Sequence, residues 1–266
     1  MPVAKTDMKL VEAATMAASF STSSVGGAID GSDTLVSSAG IGAVFFTMPS
    51  NASGGGDKVQ YSKIFDKNDH ATDTVNGYGV WIENAVDTLG TAATIQFVSS
   101  SSSDDSTKMI TVIGKSSGGA AQSENVTMNG TSTVTTTLTY TGRTRFILRA
   151  SSGGATSTAA GDITITFSAS TVGVIPTGLF SATGEVDIAL ASALDDSATI
   201  TDASTAPSGP TFTRPRTQAG MLTTDAGTGT LEAQEAQGIW LRWTLPELMQ
   251  PFSDIQSSIL GYGEPE

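Results

Sequence analysis

The sequence predicts an all-β protein of antiparallel β-sandwich type, Ig-like or jelly-roll-like, with a second β-sandwich inserted in the first. Three observations carry that reading. Only 38% of the 266 residues are hydrophobic and 15% charged, so Ser, Thr, Gly and Ala make up much of the chain. Thr is favoured in strands, and Gly and Ser in turns. Short runs of alternating apolar and polar residues recur along most of the length, as in DITITFS, where Ile163, Ile165 and Phe167 share one face and Thr164, Thr166 and Ser168 the other. No long helical pattern separates these runs, which argues for antiparallel sheets rather than βαβ units.

The elements follow in order. Residues 6–18 (TDMKLVEAATMAA) predict one short helix or arm, with Met8, Val11, Ala14 and Ala18 as a weak apolar stripe. SFSTSSVGGAIDGSD then reads as loop. Strands are predicted at 41–48, 59–66, 76–84, 92–99, 108–114, 124–130, 131–140, 144–150, 162–170, 185–191, 198–203 and 238–245, each bounded by turn residues. SSSSSDDSTK (99–108) and PTGLFSATGE (176–185) read as boundaries. If AATIQFVS (92–99) and EVDIALA (185–191) are neighbours in one sheet, the block between the boundaries is a domain inserted at a loop, a tolerated position. The expected organisation is an N-terminal arm (1–20), a discontinuous outer β-domain (21–104 plus 186–250), an inserted β-domain (105–185) and a C-terminal tail (251–266). Arm and tail are candidates to order on neighbouring subunits.

Charge and composition narrow the chemistry. A formal net charge of −13 opposes direct nucleic-acid binding, which rests on Lys and Arg contacts to phosphate. The chain has no cysteine, which removes disulfides, thiolate metal sites and a Cys nucleophile. No apolar run approaches the roughly 18 residues of a membrane span, so no membrane partner is expected. Asp7, Lys9 and Glu12 interrupt any signal-peptide core. The expectation is synthesis and folding in a cytoplasm.

No catalytic residue, cofactor site or metal site is predicted. The one histidine, His70, lies in the polar stretch KNDHATD, without a G-x-S-x-G elbow elsewhere in the chain, and reads as a turn histidine. Asp104–Asp105 and Asp195–Asp196 are paired acids, and Asp30 and Asp33 resemble half a calcium loop without its spacing. Loop calcium stays open beside the plainer reading of acids facing water. The glycine run at 54–56 lacks the Lys-Ser/Thr of a phosphate loop. A glycosidase needs two placed carboxylates, and these acids fall in turns by pattern. A sugar-binding surface is the alternative function, on a host-surface glycan: Trp81, Trp240 and Tyr78 are strand aromatics of the kind that stack on a ring. Core packing is the competing use of the same side chains.

Five stretches carry a resemblance: SSVGGAID (23–30), YSKIFDKND (61–69), GYGVWIEN (77–84), STAPSGPTFTRPRT (204–217) and QGIWLRWTLP (237–246). Their order resembles a family of structural proteins of tailed bacteriophages that share a "GGAI" start, a "Y-x-K-I-F-x-K-N" strand, a "V-W-I" strand, an "A-P-x-G-x-x-F-x-x-P" loop and an "I-W-L-R-R-T" final strand. The middle block, MITVIGKSSGGAAQSENVTMNGTSTVTTT (109–137) with AAGDITI (159–165), also resembles a phage virion module. These are packing motifs without chemistry. One departure is Trp243, where the family pattern has a second Arg. The resemblance implies a virion component, leaving open capsid decoration, neck or collar, and tail accessory roles. Its partners would be major capsid, portal, neck or tail proteins and copies of itself, and its final location the virion, after synthesis in the host cytoplasm.

Alternation along QGIWLRWTLP puts Ile239, Leu241, Trp243 and Leu245 on one face and Trp240, Arg242 and Thr244 on the other. The first face is expected to be core. Trp240, Arg242 and Thr244 are the expected subunit interface, because Trp and Arg are over-represented as interface anchors.

Overall fold

The structure is a computed structural model that describes residues 7–15, 24–34, 57–83, 86–150, 155–182, 186–223, 229–245 and 258–265, with backbone alone for 31–34, 83, 245 and 258–265. It is all-β, with antiparallel, sandwich-like sheets. The described residues contain no α-helix, and a 3-10 turn spans Gln218–Gly220. The chain forms two compact units, residues 1–83 with 186–266 (the outer unit) and residues 84–185 (the middle unit).

The outer unit has a six-stranded sheet and a three-stranded sheet. The strands are β1 (Met8–Thr15), β2 (Val25–Thr34), β3 (Lys58–Asn68), β4 (Val75–Glu83), then β13 (Val186–Leu194), β14 (Thr199–Ile200), β15 (Leu222–Thr223), β16 (Ala236–Leu245) and β17 (Ser258–Pro265). The large sheet runs β13-β16-β3-β1-β2-β14, and the small one β15-β4-β17. The large sheet curls into a half-barrel. Its far strand β2 comes back over β3 and β16, so that a Cβ added at Gly26 lies 3.0 Å from the Trp240 ring.

Strands β3 and β16 pair over ten residues, from Ala236 opposite Lys67 to Leu245 opposite Lys58. That register sets Ser62, Ile64 and Asp66 beside Leu241, Ile239 and Gln237 on one face. Tyr61, Lys63 and Phe65 lie beside Arg242, Trp240 and Gly238 on the other. The first face meets the small sheet, where the Tyr78 hydroxyl of β4 reaches the Asp66 carboxylate at 2.9 Å. The second is roofed by β2, β14 and the 195–215 chain, with Trp240, Val25, Tyr61, Ala189, Ala191, Ile200 and Ala203 in one buried cluster. Both faces of these central strands are therefore interior.

The middle unit contains β5 (Leu89–Ala93), β6 (Ile95–Ser99), β7 (Lys108–Lys115), β8 (Ala121–Thr127), β9 (Val134–Thr135), β10 (Tyr140–Ala150), β11 (Ile163–Phe167) and β12 (Ser170–Ile175). Two four-stranded sheets, β5-β10-β7-β8 and β12-β11-β6-β9, share one apolar core. Ile110, Val112, Phe146 and Leu148 come from the first, and Ile95, Phe97, Ile163 and Ile165 from the second. Phe97 and Phe146 meet edge-on across the sandwich at 5.7 Å. The alternation expected of DITITFS holds, with Ile163, Ile165 and Phe167 buried and Thr164 and Thr166 half-buried.

Several expectations are corrected. Residues 8–15 are a strand between β2 and β3, so neither a helix nor an arm describes them. Val11 and Ala13 are buried on alternate positions, and sheet pairing on both sides overrides a weak helical stripe. Residues 25–33 lie in β2 rather than a loop. Within the expected tail, 258–265 form β17, paired along β4. AATIQFVS and EVDIALA are not neighbours: β6 pairs with β11 and β9, and β13 with β16. The predicted 92–99 strand is split at Thr94, where the chain passes from one sheet of the middle unit to the other. Residues 84–104 accordingly belong to the middle unit, and SSSSSDDSTK is a turn within it rather than a boundary. Of the predicted 131–140 strand only Val134–Thr135 pairs at its centre, because the Thr136 hydroxyl bonds locally to the Leu138 carbonyl. The predicted strand 41–48 lies outside the described residues.

Candidate functional site

Three of the stretches that carry the resemblance, 23–30, 61–69 and 237–246, meet at one buried lysine, and the other two join through residues beside it. Lys63 of β3 is fully buried, and its Nζ donates to the Gly27 carbonyl (3.2 Å), the Asp196 carbonyl (2.5 Å) and Asp196 Oδ2 (2.8 Å), with the Ala198 carbonyl at 3.4 Å. The rings of Phe65 and Trp240 lie 4.9 and 5.3 Å from the same nitrogen. Burial pushes the Lys63 ammonium below its usual range, and Asp196 offsets part of that. The glycine pair of GGAID is required here. Gly26 has φ +105°, and an added Cβ would stand 2.5 Å from the Ala198 carbonyl oxygen.

The "APSGPTF" loop completes the cluster. Phe212 packs on Tyr61 at 5.4 Å and under the Arg242 guanidinium at 5.0 Å. Asp187, which is 4% exposed, is held between two arginines. Arg214 Nε and Nη2 approach Oδ1 at 2.7 and 2.6 Å, and Arg242 Nε and Nη2 approach Oδ2 at 2.9 and 2.6 Å. The Ile188 and Thr213 backbones exchange hydrogen bonds, closing this part of the β13 edge with the same loop. The Trp81 strand joins through the Ile82 amide, which donates to the Pro215 carbonyl.

This geometry changes the expected interface. Trp240 is 1% exposed and Thr244 1% exposed, both inside the sheet rather than facing out. Trp243 is buried too, on the opposite face. The reason is the curl of the large sheet, which covers the face that alternation assigned to solvent. Arg242 is the exception, with 29% of its side chain exposed at the rim of the cluster.

The other candidates fall in separate places. His70 sits in a turn and its Nδ1 accepts the amides of Thr72 and Asp73 at 3.3 and 3.0 Å, so that nitrogen serves the turn. Asp104 does not face water. It is fully buried in the middle unit and accepts from Ser99 Oγ (2.5 Å), Lys108 Nζ (2.7 Å) and the amides of Ala160 and Gly161 (2.9 and 3.1 Å). Burial alone would raise its pKa, but these donors outweigh burial and hold it below the ordinary carboxylate range. Asp195 accepts from the Ala236 amide. Asp30 lies on strand β2, as does the backbone of Asp33, and no group of three or more metal-ligating side chains occurs among the described residues. Of the three aromatics with a sugar-stacking alternative, Tyr78 and Trp240 are buried and only Trp81 is half-buried.

Sequence reasoning missed Lys63, Asp66, Asp187 and Asp104 as interior charges. For Asp187 the signal was an acid between Val186 and Ile188 in an apolar run, whereas Asp104 stands among Ser and Asp residues and had no such signal. No protein-family model, curated protein or solved structure matches the chain. Among the described residues no helix is long and apolar enough to cross a membrane.

Proposed function

We propose that the chain is a structural component of a tailed-bacteriophage virion, attached to capsid, neck or tail through subunit contacts and performing no catalysis. One observation carries the reading. The five stretches that resemble the phage structural family, separated by up to about 200 residues, lie together in the outer unit through Gly26, Lys63, Ile82, Phe212 and Trp240. Motifs that share a family pattern and also touch one another act as the signature of one fold core, and this supports reading the resemblance as kinship of that core.

The side chains then serve a mechanical task. Lys63 ties the 196–198 turn and β2 to the central strand, Arg214 ties the 204–215 loop to β13 through Asp187, and Arg242 ties β16 to the same carboxylate. A body braced in this way presents a stiff surface to its neighbours, with Arg242 the part-exposed member of the expected interface. Virions purified on a density gradient, analysed by mass spectrometry and cryo-electron microscopy, test the proposal. The chain should be present in a fixed copy number per particle and in symmetric density. Its absence from purified particles would end the reading.

A further inference from the structure

We infer that the Asp66 carboxyl, buried against Tyr78 where the two sheets meet, makes the sandwich of the outer unit an acid-tightened clamp, firmest when that carboxyl is protonated and loosened when it ionises. Asp66 on β3 is 5% exposed, Tyr78 on β4 is fully buried, and the Tyr78 hydroxyl donates to Asp66 Oδ2 at 2.9 Å. A single phenol is little compensation for a charge in that position. A buried carboxylate is stabilised by a cation or by several donors, and otherwise it keeps its proton.

Among the described residues, no cation contributes to the Asp66 carboxyl. On β3 itself, Lys63 and Lys67 point to the opposite face, toward Asp196 and Asp69. On β1, Leu10 is the register partner of Asp66. Lys9 lies on the opposite face and pairs with Asp69, and the one charged residue sharing the Asp66 face is Glu12, opposite Ile64. On β16 the partner is Gln237, whose amide donates to the Gly238 carbonyl, while Arg242 faces away toward Asp187. On β4 the group facing Asp66 is Tyr78, and β17 brings Glu264 into register with Asn76.

Burial raises Asp66 to about 7, with the Tyr78 hydrogen bond pulling weakly the other way. Burial and Asp66 together push the Tyr78 phenol well above its usual range, so it stays a donor at these pH values. The folded pKa of Asp66 exceeds its unfolded value of 3.8. The folded state therefore binds the proton more tightly, the gain is complete below about 4, and it is lost as pH rises toward 7. Asp104 and Asp69 carry the opposite sign, with pKa values held down, and their contribution is lost only at lower pH.

The three tryptophans, Trp81, Trp240 and Trp243, all lie in the outer unit, so tryptophan fluorescence reports its unfolding alone. Urea titrations of the full chain should show the unfolding constant of this unit rising about a hundredfold between pH 5 and pH 8 from the Asp66 proton. In Asp66→Asn that component should vanish. An equal pH slope in wild type and Asp66→Asn would overturn the proposal. Should Asp66→Asn not fold, Tyr78→Phe decides. Loss of the phenol removes the one interaction that favours the ionised form, so the midpoint of the pH transition should move upward. An unmoved midpoint would count against the clamp.

Discussion

Trp240→Ala should unfold the outer unit more easily, although alternation alone would make it a harmless surface change. The side chain is 1% exposed and sits in a cluster with Val25, Tyr61, Ala189, Ala191, Ile200 and Ala203. Truncating such a tryptophan costs about 3–5 kcal/mol through lost transfer energy and the cavity left behind. The ring also faces the Lys63 ammonium at 5.3 Å in a dry environment, which adds about 0.5–2 kcal/mol. The Gly26 backbone is packed against the same ring and cannot collapse into the cavity without moving the Ala198 carbonyl. The expected loss is about 4–6 kcal/mol, against about 3–5 kcal/mol for Trp243→Ala on the opposite face. Arg242→Ala is the control. It leaves Asp187 bound to Arg214 and should cost only about 1–2 kcal/mol. Urea unfolding followed by the remaining tryptophans measures all three. Should Trp240→Ala stay within about 1 kcal/mol of wild type while Trp243→Ala loses the full amount, the curled sheet would not cover Trp240 and the interior assignment would fail.

Lys63→Ala should cost about 3–5 kcal/mol, because Asp196 and the buried Gly27 carbonyl lose their donor, again read by tryptophan fluorescence in urea. Asp104→Asn should destabilise the middle unit by about 2–3 kcal/mol. Hydrogen exchange should show the loss first at the Ala160 and Gly161 amides that donate to it. Replacing Ser168–Ala169 by Asn-Gly should stabilise the middle unit by about 1–2 kcal/mol, measured as a raised thermal midpoint. Both residues have positive φ, 48° and 68°, in the two-residue turn between Phe167 and Ser170. Hydrogen bonds from Lys67 and Lys9 hold Asp69 down to about 2. Its folded pKa lies below the unfolded 3.8, so its stabilising effect is present above about 4 and disappears as pH falls toward 2. An NMR titration of its carboxyl carbon should move to an ordinary value in a Lys9→Met, Lys67→Met double variant.

Strands were legible where one face is buried and the other wet. DITITF alternates in sequence and in burial. Legibility failed where turn chemistry was unusual. The turn at Ser168–Ala169 has the left-handed conformation of an Asn-Gly hairpin without its residues, so the strand was expected to run on to 170 and β12 was missed. The same reasoning in reverse explains β2. Its glycines suggested a loop, but they are there because a carbonyl and an indole ring press on the strand.

The misplaced tryptophan has a deeper cause. Alternation decides which residues share a face, and the register confirms that Trp240 lies with Arg242, opposite Trp243. Alternation does not say whether a face is wet. That inference used the polar residues on the Trp240 face as evidence of solvent. On β3 and β13 those residues are interior: Lys63 is capped by three oxygens of the polypeptide and Asp187 by two guanidiniums. A polar residue marks a surface only if nothing in the chain can satisfy it. In a sheet curled on itself, partners come from residues more than a hundred positions away, as Asp196 does for Lys63. A local window cannot see that partnership, whereas the co-occurrence of separated motifs can. The glycine pair, the lysine strand and the tryptophan strand each look ordinary alone, and their shared presence in one chain is the sequence-level trace of a single packed cluster.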